Sequence, residues 1–138
     1  MGRILAIDYG KKRIGLAITD PQQIMALPFK TIDAGNNIKE SIQNIIKETP
    51  DGIEKIIIGN PLLFNGTASE MSKVVETLKL ELEKTLTDVP VILFDERLTS
   101  TQAERFLKEH KVNRKKRVGK VDPIAAYIIL NGYLAATT

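Results

Sequence analysis

Residues 4–20 read Ile4-Leu5-Ala6-Ile7-Asp8-Tyr9-Gly10-Lys11-Lys12-Arg13-Ile14-Gly15-Leu16-Ala17-Ile18-Thr19-Asp20. Two apolar runs rich in β-branched residues flank a short polar turn that contains a glycine, the pattern of a β-hairpin. Asp8 stands where the first run meets the turn. A carboxylate is costly to place in a hydrophobic strand unless something pairs with it. Asp8 caps no helix, and Gly10 already supplies the turn chemistry. An acid on a central strand followed by a hairpin is a common opening for a metal-dependent phosphotransfer site. One carboxylate cannot hold a metal alone, so the remainder of the chain must supply partners.

The hairpin is followed by Ile24–Ile32, a third strand-like run in which Pro28 marks a sheet edge, since proline cannot donate to ladders on both sides. Asn36 is expected to cap a helix with Ile38, Ile42, Ile45 and Ile46 at helical spacing, ended by Pro50-Asp51-Gly52. Ile56-Ile57-Ile58 reads as a strand buried on both faces. Thr67-Ala68-Ser69-Glu70 has the form of a capping box, opening a helix with Met71, Val74, Val75, Leu78 and Leu82 on one face. Pro90–Phe94 reads as the last strand, and Thr101 with Glu104 as a second capping box for a helix to about Lys111. Asp122-Pro123 is expected to open a final, largely buried helix, with Asp as cap and Pro in the first turn. A meander followed by crossovers gives an α/β fold: one mixed sheet with helices on both faces, in a single domain spanning 1–138.

Composition narrows the function classes. At 138 residues, the chain is long enough to bury roughly two-thirds of its unfolded surface. Aromatics are 5% with no Trp, which argues against a base-stacking platform. The absence of cysteine excludes disulfides, thiolate metal sites and cysteine nucleophiles. No apolar stretch reaches the ~20 residues of a membrane span. Asp8 and Lys11-Lys12-Arg13 interrupt any signal-peptide core, so a cytoplasmic location is expected. Net charge is only +3, but Lys108, Lys111, Arg114, Lys115, Lys116, Arg117 and Lys120 crowd one segment opposed by Glu109 alone. That run reads as an exposed flexible segment, either a solvated loop or a phosphate-backbone contact.

Three acidic positions fall where a strand or helix meets a loop: Asp8, Asp95-Glu96 and Asp122. Ligands in open α/β sheets gather at the carboxyl ends of strands. Clustered carboxylates repel one another unless a cation relieves them. With oxygen donors and no Cys or His nearby, that cation is expected to be Mg²⁺ or Mn²⁺. Two such ions ~4 Å apart stabilise both attacking and leaving oxygens of a phosphodiester displacement. Asp122 also has a purely structural role open to it as a helix cap. Of Asp95 and Glu96, only one need point into a site, with Glu96 preferred and Asp95 a second ligand or hydrogen-bond acceptor. Lys11, Lys12, Arg13 and Arg97 are candidate phosphate contacts, together with Arg114, Lys115, Lys116, Arg117 and Lys120.

Ile7-Asp8-Tyr9-Gly10 through Arg13-Ile14-Gly15-Leu16-Ala17, Gly59-Asn60-Pro61 with Asn65-Gly66-Thr67, Asp95-Glu96-Arg97-Leu98-Thr99-Ser100, and Lys120-Val121-Asp122-Pro123-Ile124-Ala125-Ala126 occur in that order. Together they resemble the YqgF family, small bacterial proteins of the RNase H-like superfamily related to Holliday-junction resolvases. The resemblance runs nearly the whole chain. It implies an RNase H-like fold with a five-stranded sheet in the order 3-2-1-4-5, and a nuclease role in maturing the precursor of small-subunit ribosomal RNA. Asp8, Glu96 and Asp122 fall on the family's acidic positions. Structured RNA, with branched DNA second, is the expected partner. Ribosomal precursor particles are a further expected partner, and a monomer or weak homodimer the expected state. The competing expectations are a binding-only protein of ribosome assembly or transcription, and an ATPase of the actin and sugar-kinase type. The latter needs two such domains to enclose a nucleotide, and this chain provides one.

Overall fold

The computed structural model describes residues 2–61, 69–95 and 114–137, the stretch 114–123 by its backbone only. β1 (Arg3–Tyr9) and β2 (Arg13–Thr19) form the expected antiparallel hairpin, with Asp8 opposite Gly15. β3 (Ala26–Asp33) pairs antiparallel with β2 and forms one edge, consistent with Pro28. β4 (Ile53–Asn60) runs parallel to β1, and β5 (Val91–Asp95) parallel to β4. The order is β3-β2-β1-β4-β5, so β1 is central and its carboxyl end lies at the same edge as those of β4 and β5.

The two sheet faces are built from different residue sizes. On one, Leu5, Ile7, Ile14, Leu16, Ile56 and Ile58 pack against α1 (Ile38–Glu48) and α2 (Glu70–Thr85) through Ile42, Ile45, Val75, Leu78 and Leu82. Each such fully buried aliphatic side chain contributes about 1.5–3 kcal/mol. On the other face Ile4, Ala6, Ala17 and Ile57 meet α3 (Arg114–Thr137) through Ala126, Ile129, Leu130 and Tyr133. Alanines on that face let one long helix lie close across the sheet. Tyr133 is anchored at the far side: Lys55 Nζ donates to its hydroxyl at 2.9 Å, and its ring meets Phe94 edge-on at 6.0 Å.

Several boundaries differ from expectation for local reasons. The cap of α1 is Asn37, not Asn36, because the Asn37 side chain accepts from the Glu40 amide. Asn36 instead gives its own amide to Glu40 Oε2. The cap of α2 is Ser69, whose Oγ accepts from the Ser72 amide and donates to the Pro61 carbonyl. Thr67 lies outside the described residues, as does the helix expected from Thr101 to Lys111. Asp95 is the last residue of β5 rather than the start of a loop. The largest difference is α3. It starts at Arg114, so Asp122-Pro123 lies in its third turn and does not open it, and the basic run from 114 to 120 is helical rather than a flexible loop. Arg and Lys are good helix formers, and a cap sequence permits a helix start without compelling one.

Candidate active site

Asp8 sits near the carboxyl end of β1, where exposure rises from fully buried at Ile7 to half-buried. Successive side chains of a strand alternate between faces. Ile4 and Ala6 pack under α3, so Asp8 belongs to the α3 face. Its partner on β2 is Gly15. On the other side, the register of Ile7 with Ile58 brings Gly59 of β4 beside Asp8. Asp8 is therefore flanked on its own face by two buried glycines, Gly15 directly opposite on β2 and Gly59 beside it on β4. A glycine inside a strand often marks the close approach of a ligand or another backbone. Gly15 and Gly59 carry that signal in the sequence, although residue chemistry alone gave them no role.

The turn after Asp8 is tight. A Cβ on Gly10 would lie 2.6 Å from the Arg13 carbonyl oxygen, too close for any other residue without a backbone shift. Lys11 and Lys12 are exposed at the tip. Arg13 begins β2 with the same parity as Gly15, so it shares the face of Asp8 one step nearer the edge. The turn thus concentrates positive charge beside one carboxylate.

Asp95 is placed differently. Val91 and Leu93 pack with the α1–α2 cluster, whereas Ile92 and Phe94 pack with α3. Asp95 follows the parity of Leu93 and pairs with Asn60, so it lies on the face opposite Asp8. Among the described residues, Asn60 Oδ1 is a buried acceptor without a hydrogen-bond partner. Glu96 and Arg97 lie outside the described residues. For Asp122, Arg114, Lys115, Lys116, Arg117 and Lys120, the backbone is placed in α3. Asp122 stands one helical turn before Ala126, at the head of the stripe Ala126–Leu130–Tyr133 that packs on the sheet. Among the described residues no three His, Cys, Asp or Glu come together as a metal site, and Asp8 is the single proposed acid on the α3 face whose side chain is described. The donors that chemistry would assemble there are all oxygen, which suits a hard divalent cation. No helix among the described residues is long and apolar enough to cross a membrane.

A central β1 with parallel β4 and β5, an antiparallel β2–β3 flank and an acid at the carboxyl edge define an RNase H-like, resolvase-type fold. Solved structures share it: Fowlpox virus resolvase with Holliday junction DNA (TM-score 0.60, 13% identity, 97% of each chain) and Thermus thermophilus RuvC with a Holliday junction substrate (TM-score 0.51, 12% identity, 100% of this chain and 98% of that one). The RuvX family model, described as Holliday junction resolvase, matches residues 2–136. The chain belongs to this family of resolvase-type nucleases. Proteins named "Putative pre-16S rRNA nuclease" are 44% identical over 135 residues in Chlamydia pneumoniae (94% of this chain, 87% of that protein) and 42% identical over 136 residues in Bacteroides fragilis strain YCH46 (97% and 96%).

Proposed function

We propose that the chain is a metal-dependent endonuclease that processes the 5′ end of pre-16S rRNA. In this reading it acts as one domain in the cytoplasm, on ribosomal precursor particles, as a monomer or weak homodimer. The observation that carries the proposal is Asp8 at the carboxyl edge of the central strand, between two glycines and on the face crossed by α3. Tyr133 contacts Lys55, which is level with Ile4 at the start of β1. From Tyr133 back to Asp122 the helix rises ~16 Å, comparable with the ~13 Å from Ile4 to Asp8. That match supports a place for Asp122 at the level of Asp8. The pleat of β5 puts Asp95 on the face opposite Asp8, which supports Glu96 as the acid of this pair in the site.

Asp8, Glu96 and Asp122 would then hold Mg²⁺ or Mn²⁺, which when bound activates water and stabilises the leaving oxygen of the phosphodiester. Lys11, Lys12, Arg13, Arg97 and the basic first turns of α3 would bind substrate phosphates on either side of the acids. Gly15 and Gly59 would leave room for the scissile phosphate to reach the carboxylates. The family description favours branched DNA as the second substrate class.

The test compares cleavage of a pre-16S rRNA fragment and a four-way DNA junction by wild type and Asp8→Asn. Mg²⁺-dependent cleavage of the RNA, lost in the variant, is expected. Cleavage of the junction alone would replace RNA by DNA as the substrate. Undiminished cleavage by Asp8→Asn would remove Asp8 from the site.

A further inference from the structure

The β1–β2 turn is gripped from its far side by a ring of hydrogen bonds. Ser41, fully buried on α1, donates through Oγ to the carbonyl oxygen of Ala34. A hydroxyl has one proton to give, so in the contact between Tyr9 and Ser41 at 3.3 Å the Tyr9 hydroxyl is the donor. The Ala34 amide in turn donates to the Lys12 carbonyl at 3.0 Å. The links run from Tyr9 through Ser41 and Ala34 to Lys12, and the backbone from Lys12 to Tyr9 closes the ring. Enclosed within it are Gly10 and Lys11.

Two features give this ring a meaning beyond packing. Tyr9 has the parity opposite to Asp8, so its ring packs with the α1–α2 cluster while its backbone is bonded directly to the acid. It can therefore hold the strand end without obstructing the α3 face. The grip also falls on the one turn that carries exposed Lys11 and Lys12. An exposed glycine-containing turn that was free to move would lose conformational freedom each time it met a phosphate. A turn fixed in advance escapes that loss.

We propose that Tyr9 is a positioning residue: through Ser41 and Ala34, its hydroxyl fixes the Lys11–Arg13 turn in the orientation that receives the substrate's phosphates. This deepens the nuclease reading and rests on it for the substrate. It predicts an effect on substrate capture rather than on the chemical step.

The experiment uses the full chain and Tyr9→Phe, which keeps the ring in the core and removes only the hydroxyl. Thr19→Val is the control, since it deletes another buried hydroxyl, the acceptor for the Ile4 amide at the opposite end of the sheet. Hydrogen exchange at the Ala34 amide should quicken about tenfold in Tyr9→Phe, and KM for the rRNA fragment should rise about fivefold, as expected for one lost hydrogen bond. Its kcat should change less than about twofold, and Thr19→Val should alter neither Ala34 exchange nor KM. Unchanged exchange and KM in Tyr9→Phe, or equal rises in KM in both variants, would overturn the proposal. A wild type that neither binds nor cleaves RNA would instead remove the nuclease reading and the substrate role with it. Ala34 exchange would even then decide whether the hydroxyl fixes the turn.

Discussion

The two ends of the β1–β2 hairpin each carry an aspartate, and they are used in opposite ways. At the far end Asp20 follows β2 and turns its carboxylate onto its own loop. It accepts from the amides of Met25 at 2.7 Å, Ile24 at 2.8 Å and Gln22 at 3.0 Å. Those bonds, the one from Met25 foremost, hold its carboxyl below the usual range against an opposing desolvation. Nearby, Gln23 is held at a positive φ of 59° while its amide nitrogen reaches the Gly2 carbonyl at 2.7 Å. This loop closes on itself. At the other end Asp8 sits one residue inside its strand, beside glycines, and the turn after it points lysines outward. An acid at a strand end is therefore no signal by itself. What separates these two is place: Asp20 lies beyond β2 in a loop whose amides it accepts, whereas Asp8 lies within the central strand, between two glycines, at the edge where the parallel strands end.

The sharpest way to break this comparison is to neutralise each acid. Asp8→Asn should lower single-turnover cleavage about 10³-fold or more, the equivalent of losing several kcal/mol of metal-borne stabilisation. Its melting temperature should hold or rise as repulsion among carboxylates is relieved. Asp20→Asn should leave cleavage within about twofold. Equal losses of activity in the two variants would erase the distinction drawn between the ends.

A smaller effect is expected from filling the space beside Asp8. Gly15→Ala adds a methyl directly across from the acid on its own face and should slow cleavage about tenfold, because small misplacements at a reacting centre are costly. An unchanged rate would mean that the flanking glycines serve the close packing of α3 instead.

The basic end of α3 should affect binding more than chemistry. Four consecutive helical residues sweep about 300° around the axis, so Arg114, Lys115, Lys116 and Arg117 do not all share one face. Replacing all four with Ala preserves helix propensity. It should reduce the slope of log K against log salt by about 1.4, two contacts on single-stranded RNA, rather than by the ~2.8 expected of four. Titrations at several salt concentrations measure this directly.

The smallest effect belongs to Asp20 and is seen in stability alone. Its folded-state pKa is lowered, so its stabilisation is fully present above the unfolded pKa and is lost as pH falls through the folded one. Wild type should melt higher than Asp20→Asn at neutral pH. The gap should close in acid below the ordinary aspartate range. A constant gap across the titration would show that the carboxylate's charge is not what the loop uses.

Much of this was legible in the chain because it is local. The hairpin, the edge character of β3 and the buried β4 follow from alternation, proline and an unbroken isoleucine run. The strand order came through the family resemblance and agrees with the sheet observed here. Boundaries slipped where neighbouring residues compete for one role, as Asn36 does with Asn37. The start of α3 slipped because the basic run before Asp122 propagates a helix as readily as it would form a loop. Of the two adjacent acids, the pleat of β5 places Asp95 on the face opposite Asp8, a distinction that residue chemistry does not carry, and Glu96 lies outside the described residues. The contact of Tyr9 with Ser41 joins residues 32 positions apart and leaves no trace in either local sequence.

The central claim is that Asp8 and Asp122 hold the same metal. Calorimetric titration of Mn²⁺ into wild type, Asp8→Asn and Asp122→Asn tests it most directly. Saturable binding in wild type and its loss in both variants, with all three proteins folded, is the expected result. Binding in either variant with wild-type affinity and stoichiometry would contradict the shared site.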